Sequence, residues 1–522
     1  MALMGCASAA TIPASATTET PQYFQTTPEL WPGPTATGTA PFLAQTNLAP
    51  FGESRTVNPN DPLETQMPIQ GKPEKQNIFR LMGQLSHYQP AVEGFGVEEY
   101  PLPAGANITQ VNVLHRHGSR YPTSSNIVAK LGSALGKAHI NATGALSFLN
   151  SWKYSLGAEI LVPVGRQEMF DSGVLHYYQY AHLYDTNTKI IARTPTQDRM
   201  TKSAEYFLAG FFGQEWTNNA TIEVIIENSG FNNSLAGGKN CKNSNGDVSA
   251  LGDDATAQWY NIYLANATAR FNSMTSGYNW TADDTYAAQT LCPYETVALG
   301  FSKWCDLFTY EEWQGFEYSL DLNFNGDDGF ASPTGRAVGI AYVEEFLARL
   351  QHHVLSTPEG TANITLDNNT ATFPINQTLN FDFSHDTNIF SILTAFGFTQ
   401  FQEDLPATHM VNRNTIISHI TPFGARLDVE VIKTPQPVPA NRSSDYVAGP
   451  PTTYLHFILN QRTLPLGASF PECGDRVDGW CDIDTFLAVQ EKSAALANAD
   501  YACNGDYPKV PYGTIKDGAP LT

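Results

Sequence analysis

Residues 111–123 read V-N-V-L-H-R-H-G-S-R-Y-P-T. The apolar, β-branched residues at the start of this stretch predict a buried strand. The strand runs into Arg116, His117, Gly118 and Arg120, where the glycine permits a sharp turn or a close backbone approach. Ligands of α/β proteins bind beyond the carboxyl ends of strands, and guanidinium groups match a tetrahedral oxyanion. We therefore expect an anion site here, for phosphate, with a histidine inside it.

A second cluster of polar side chains follows another short apolar strand, predicted over residues 379–383 and leading into Ser384-His385-Asp386. The stretch R-H-G-S-R-Y-P at 116–122 resembles the RHGxRxP signature of the histidine acid phosphatases, and Ser384-His385-Asp386 resembles the HD motif of that family. Each motif alone is a modest signal. The two in this order, each at the end of an apolar strand, are a strong one.

The resemblance implies a role for each of five side chains. Imidazole can form a covalent intermediate, so His117 is the expected nucleophile. Arg116, Arg120 and His385 are expected to hold the phosphoryl oxygens. Asp386 is expected to protonate the leaving oxygen and then to activate water. The expected reaction is the hydrolysis of phosphomonoesters through a phosphohistidine, with no cofactor and no metal ion.

The family also has a third arginine at the head of a helix between the two motifs. Arg199 fits that pattern best, because Ser203-Ala204-Glu205-Tyr206-Phe207 follows it at the family spacing, and a helix N-terminus adds its dipole to anion binding. Arg193 is the second candidate and is interpreted as structural. His115 shares a strand face with His117 by parity; it either lines the pocket without reacting or is a structural histidine.

The rest of the chain alternates predicted strands and long helices, including an amphipathic helix over 337–355, which indicates the α/β class. With the resemblance, we predict a large α/β domain of the histidine phosphatase type with a smaller inserted all-α domain. The predicted segments are a leader and low-complexity arm (1–75), α/β parts (76–123, 186–230 and 331–522) and α-helical parts (124–185 and 231–330).

Composition limits the partners. The formal net charge of −22 argues against nucleic acid, which requires a basic face. No apolar run is long enough to cross a membrane. An anionic substrate must approach an acidic surface, so basic residues in the cleft have to reverse the field there. We expect a monomer that acts on a small phosphomonoester.

The ten N-x-S/T sequons indicate a secreted, oxidising route, although residues 1–16 make an atypical or truncated signal peptide. They are Asn107, Asn141, Asn219, Asn232, Asn266, Asn279, Asn363, Asn368, Asn376 and Asn441. The seven cysteines show no metal-finger spacing. The family resemblance pairs six of them, as Cys241–Cys503, Cys292–Cys305 and Cys473–Cys481, and leaves Cys6 over.

The resemblance covers the chain from about residue 80 onward, and this part is most similar to the fungal phytases of the family. Phytate (myo-inositol hexakisphosphate) is therefore the expected substrate. The sequence departs from those enzymes at three places, and the two that remove lysines weaken that preference. Ala106 replaces a cysteine that family phytases have near the first strand. The loop at 124–130, lysine-rich in those enzymes, has one lysine here, and a second lysine pair falls at Leu322-Asn323. A broad-specificity acid phosphatase with little phytase activity is therefore the alternative.

Two further alternatives remain. In a metal-dependent phosphatase, His115, His117, Asp382, His385 and Asp386 would be ligands, since HxH is a metal-binding spacing. The crowded arginines argue against it, because cations repel a metal ion. A catalytically dead binding protein on the same fold would have lost the nucleophile or the acid, and both are present.

Ser384 does not begin a serine triad, because no GxSxG elbow exists.

Overall fold

A mixed eight-stranded sheet organises the chain. The computed structural model describes residues 70, 71, 73, 76–185 and 188–521, so the leader and arm predicted for 1–75, with Cys6, lie almost entirely outside the described residues. The described strands are β1 (Asn107–Arg116), β2 (Asn141–Ala142), β3 (Ile190–Pro195), β4 (Ala220–Ile225), β5 (Thr275–Ser276), β6 (Leu379–Ser384), β7 (Arg426–Thr434), β8 (Thr452–Leu459), β9 (Arg462–Thr463) and β10 (Cys481–Asp482).

The order of the strands places the two sequence motifs side by side. It is β10-β8-β7-β1-β6-β3-β4, with β9 beside β8, while β2 and β5 form a separate pair. Strands β1, β6, β3 and β4 are parallel, and β7 is antiparallel to β1. Arg116 at the end of β1 is in register with Ser384 at the end of β6. Both motifs therefore begin at the same carboxyl edge of the sheet.

Helices cover both faces of the sheet. They are α1 (Ile127–Lys137), α2 (Pro163–Tyr180), α3 (Asp198–Phe212), α4 (Leu251–Tyr263), α5 (Ala265–Met274), α6 (Ala282–Leu299), α7 (Tyr310–Asp327), α8 (Gly335–Leu350), α9 (Ile364–Asp367), α10 (Asp386–Phe396), α11 (Ile417–Ile420), α12 (Ile483–Gln490), α13 (Ser493–Ala497) and α14 (Ala499–Asn504). No helix of the described part is both long and apolar enough for a bilayer span.

The residues of β1 alternate between two cores. Val111 and Val113 join the core on the side of α2 and α3, whereas Leu114 joins the core on the side of α8 and α10. Because helices cover both faces, the last seven residues of β1 are all buried. The predicted strand at 379–383 and helix at 337–355 correspond to β6 and α8, with the helix ending five residues early. The α/β fold is confirmed.

A third core lies among helices α1, α5, α6 and α7. Trp304, Trp313 and Phe316 are its large buried side chains. Helix α2, which falls in the segment predicted as helical domain, packs along α3 and contributes Met169 and Tyr180 to the core on the sheet. The domain boundaries from the sequence stay a prediction.

The structure contains the three disulfides that the family resemblance implies: Cys241–Cys503, Cys292–Cys305 and Cys473–Cys481. The first joins residues 262 positions apart and ties the loop before α4 to α14 near the carboxyl terminus. The loop that it anchors, over residues 234–245, forms one wall of the site described below.

Candidate active site

The six residues expected to act on substrate meet at the carboxyl edge of the parallel strands. Arg116 ends β1, and Asp386 begins α10 directly after β6. Arg116 Nη2 donates to Asp386 Oδ2 at 2.6 Å. The rings of His117 and His385 lie with their centroids 5.7 Å apart. Arg199, in the first turn of α3, and Arg120 are close enough to act electrostatically on His117.

His117 presents one ring nitrogen to the site. Its Nδ1 lies 2.9 Å from the carbonyl oxygen of Gly118. A carbonyl can only accept, so Nδ1 carries the hydrogen and Nε2 carries the lone pair. The buried Nε2 has no hydrogen-bond partner among the described residues. Burial first, and then the charges of Arg116 and Arg199, hold the pKa of His117 well below its ordinary value. The imidazole is therefore neutral, as a nucleophile must be.

Three guanidinium groups supply positive charge around this nitrogen. Arg116 is fully buried, donates through Nη1 to Thr421 O at 2.8 Å and lies over the Phe423 ring. Arg199 Nη1 donates to Glu159 Oε2 at 2.8 Å. The Nε atoms of Arg116, Arg120 and Arg199 are all buried without a partner in the described part of the chain. Unused donors on three neighbouring guanidinium groups are suited to binding a tetrahedral anion.

Asp386 is held in its ionised form while the site contains only protein groups. Burial alone would raise the pKa of this carboxyl, but Arg116, Arg120 and His385 keep it below its ordinary value. A bound phosphate group would bring negative charge beside the same cations. It would therefore weaken their hold on Asp386 and favour the protonated form that a general acid needs.

A buried carboxylate positions His385. Glu227, two residues beyond β4, accepts from His385 Nε2 at 2.9 Å and also from Gln197 Nε2. Burial alone would raise the pKa of Glu227, but the hydrogen bond and the charge of His385 lower it. The contact fixes the hydrogen of His385 on Nε2 and fixes the plane of the ring.

The loop after β1 is held by a close backbone approach and a second carboxylate. A Cβ on Gly118 would collide with the carbonyl oxygen of Gly165 at the start of α2, so the expected close approach is present. Glu168 of the same helix accepts from Ser119 N at 2.7 Å and from Ser119 Oγ at 2.9 Å. Helix α2 thereby fixes the backbone on which His117 and Arg120 stand.

Two other residues considered from the sequence lie outside the pocket. His115 bonds to Ser172 Oγ at 2.8 Å and packs against Phe207, so it is a buried core histidine and does not line the pocket. Arg193 is buried in ion pairs with Asp382 and Glu345, which agrees with a structural role.

The ligand set of the metal alternative is not assembled. Asp382 bonds to Arg193 and Arg349, and His115 points into the core. Among the described residues, no group of three or more histidine, cysteine, aspartate or glutamate side chains is arranged as metal ligands.

The comparison with known proteins decides the family. Residues 107–460 match the model of the histidine phosphatase superfamily (branch 2). The chain belongs to this superfamily. It is 34% identical to Phytase A of Aspergillus fumigatus over 68% of this chain and 79% of that protein. It is 28% identical to an acid phosphatase of Schizosaccharomyces pombe over 83% of this chain and 92% of that one. The phytase structure from D. castellii shares the fold, with a TM-score of 0.66 and 23% identity over 89% and 97% of the two chains.

Membership of the histidine phosphatases confirms the enzyme class expected from the two motifs. The protein is a hydrolase of phosphomonoesters, of the histidine acid phosphatase type.

Several side chains of this histidine phosphatase site were not found from the sequence. Glu227 follows a strand at the same sheet edge as the motifs, and that position was an available signal. Three further side chains lie far from both motifs in the sequence, and no local pattern marks them. They are Glu159 in the loop before α2, Glu168 in α2 and Lys239 in the 3-10 helix Ser234–Asn240.

Proposed function

We propose that this histidine phosphatase hydrolyses phytate through a phosphohistidine on His117 and that it does so as a secreted enzyme. The observation that carries the mechanism is the buried, unpartnered Nε2 of His117 beside three guanidinium groups with unused donors. Similarity to Phytase A of Aspergillus fumigatus supports the substrate. Three disulfides and ten sequons support secretion.

The first step transfers the phosphoryl group to the enzyme. Arg116, Arg120 and Arg199 bind the oxygens of one phosphate and neutralise their charge. His385 donates to the same phosphate through Nδ1 as an imidazolium, because its Nε2 hydrogen is held by Glu227. Nε2 of His117 attacks phosphorus, and the bond from phosphorus to the ester oxygen breaks. Asp386 gives its proton to that oxygen, which leaves as an alcohol.

The second step returns the enzyme to its starting state. A water molecule attacks phosphorus, and Asp386, now ionised, takes the proton from it. The bond between phosphorus and Nε2 breaks, and inorganic phosphate leaves. Because Asp386 must enter the cycle protonated, turnover is expected at mildly acidic pH.

A broad-specificity acid phosphatase is the second candidate function. The second lysine pair of family phytases is replaced here by Leu322 and Asn323, and Leu322 is buried inside α7. The similarity to the acid phosphatase of Schizosaccharomyces pombe favours the same alternative.

The test is phosphate release from phytate and from an aryl phosphate at mildly acidic pH with excess chelator. We expect turnover of both by the wild type and none by His117→Ala. Rapid quenching into alkali should trap labelled phosphate on His117, since phosphohistidine survives base. Turnover of the aryl phosphate alone would favour the second candidate. Activity that requires an added divalent metal, or that survives in His117→Ala, would overturn the mechanism.

A further inference from the structure

A lysine lies on the wall of the active-site cavity, outside the two segments where the family resemblance places lysines. A cavity of about 250 Å³ opens onto His385 and Asp386, and Arg199, Glu227 and Lys239 also line it. In the described part of the chain, Lys239 is the one lysine on this wall. Its side chain is 47% exposed and is therefore accessible to a ligand in the cavity.

The backbone that carries Lys239 is firmly held. Lys239 lies near the end of the 3-10 helix Ser234–Asn240, whose first turn is capped by Asn233. Two residues later, Cys241 is bonded to Cys503. The carbonyl of Gly238 accepts from Ser244 Oγ at 3.0 Å. The loop thus fixes the Cα of Lys239, while the long side chain remains free to adjust to a ligand.

The carboxylate of Glu227 lies between the ammonium of Lys239 and the imidazole of His385. Lys239 Nζ is 3.8 Å from Glu227 Oε1, and His385 Nε2 is 2.9 Å from Glu227 Oε2. The contact with Lys239 is long, whereas the contact with His385 is a full hydrogen bond. Glu227 therefore bonds mainly to His385, and Lys239 makes no hydrogen bond within the described part of the chain.

The second lysine pair of family phytases, at positions 322 and 323, cannot supply this charge here. Leu322 is buried, and Asn323 donates to Asp253 and Asp327. An inositol polyphosphate carries phosphates on neighbouring ring carbons, so binding one of them at His117 leaves others near the cavity wall. A flexible ammonium on that wall is suited to one of them.

We propose that Lys239 binds a second phosphate of an inositol polyphosphate while the first phosphate lies at His117. This inference rests on the proposed function and assigns part of its substrate specificity to one side chain. It predicts that Lys239 acts on substrates with several phosphates far more than on those with one. A lysine that only neutralised Glu227 would instead act through His385 and affect both kinds of substrate alike.

The test compares Lys239→Ala, Lys239→Arg and the matched control Lys242→Ala, an exposed lysine three residues away that does not line the cavity. We expect kcat/KM for phytate to fall about tenfold in Lys239→Ala, mainly through KM, with a much smaller loss for an aryl phosphate. Lys239→Arg should recover most of the loss, and Lys242→Ala should match the wild type. Equal losses for both substrates, or none for phytate, would overturn the proposal.

A binding measurement separates this inference from the proposed function. Myo-inositol hexakissulfate, a polyanion without a hydrolysable phosphate, should inhibit hydrolysis of the aryl phosphate, with an inhibition constant about tenfold weaker in Lys239→Ala. This result does not require phytate turnover. Absence of phosphate release from phytate by the wild type would therefore refute the proposed function alone, whereas an unchanged inhibition constant would refute the role of Lys239.

Discussion

Asp386 has two requirements that the structure sets against each other. In the proposed mechanism it must be protonated to act as an acid, yet Arg116 donates to it at 2.6 Å and, with Arg120 and His385, lowers its pKa. The guanidinium that holds Asp386 ionised is also the one expected to bind phosphate. In that mechanism, bound phosphate offsets the positive charge of Arg116, so Asp386 can hold a proton only when there is a leaving group to protonate.

Asp386→Asn tests this role through the leaving group. An amide keeps the shape of the side chain and can accept from Arg116, but it has no proton to give. We expect a loss of at least about a hundredfold in kcat for an alkyl phosphate, whose alkoxide is a poor leaving group. The loss should be much smaller for an aryl phosphate with an acidic phenol. A series of aryl phosphates of rising phenol pKa measures the trend, and equal losses across the series would exclude Asp386 as the acid.

At the scale of the elements, α2 and α3 form a rigid pair because two glycines allow their backbones to touch. A Cβ on Gly173 of α2 would collide with the carbonyl oxygen of Phe207 in α3, and one on Gly210 of α3 with that of Phe170 in α2. The pair matters for the site, because α2 holds the loop after β1 through Glu168 and α3 carries Arg199. The spacing between these helices therefore sets the distance between Arg120 and Arg199, two of the arginines proposed to bind phosphate.

Gly173→Ala should therefore force α2 and α3 apart. Since the clash is with backbone, no side-chain rotation relieves it, and we expect a loss of about 1–3 kcal/mol in the free energy of unfolding. Thermal unfolding and kcat/KM for an aryl phosphate measure the effect on stability and on the site.

Gly136→Ala is the matched control for that substitution. Gly136 also lies in a helix, α1, but a Cβ there would meet no atom within 4 Å. Alanine at this position should leave stability unchanged or raise it by about 0.4–1 kcal/mol. If both variants behaved alike, the close contact between α2 and α3 would have no energetic importance.

For the whole molecule, the acidic net charge and the anionic substrate are reconciled by the arrangement of charge. The chain carries −22 overall, but Arg116, Arg120 and Arg199 collect where four parallel strands end. Low-dielectric walls around such a cluster focus its field, so the cavity attracts an anion that the outer surface repels.

The two motifs and the main strands could be predicted because their signals are local. The apolar run in β1 and the turn residues after it lie within 13 consecutive residues. The pairing of Glu227 with His385 joins residues 158 positions apart, and the contact of Glu227 with Lys239 depends on where a disulfide-anchored loop is placed. Such contacts follow from the order of strands in the sheet, which the hydrophobic period does not encode. For the same reason, parity placed His115 and His117 on one face but could not show that the strand ends between them.

Buried acids and buried histidines make the stability of the molecule depend on pH in opposite directions. Burial, reinforced by nearby Asp253, raises the pKa of Asp327 to about 8, and burial raises that of Glu344 to about 7. Such a group stabilises the fold below its unfolded pKa of about 4, and that contribution is lost as pH rises through the folded value. Burial holds the pKa values of His115 and His117 well below about 6.5, so their contribution is lost as pH falls below that value.

Of these four groups, only the two acids titrate in the folded state between pH 6.5 and 8.5, so their contribution should lower the melting temperature over this range. Asp327 accepts from Gly252 N at 2.7 Å and joins α7 to α4; Asp327→Asn keeps a carbonyl oxygen for that bond and removes the ionisation. Between these two pH values the free energy of unfolding should fall less in the variant than in the wild type. The difference is at most about 1.4 kcal/mol for each pH unit in which Asp327 is protonated in the folded state and ionised in the unfolded state. Thermal unfolding at both pH values, in low and in high salt, measures the difference. Salt screens the repulsion of the acidic surface but not a buried carboxyl, so the gap between the two proteins should persist in high salt. An equal fall of the melting temperature in both proteins would show that surface charge, and not Asp327, causes the loss of stability at alkaline pH.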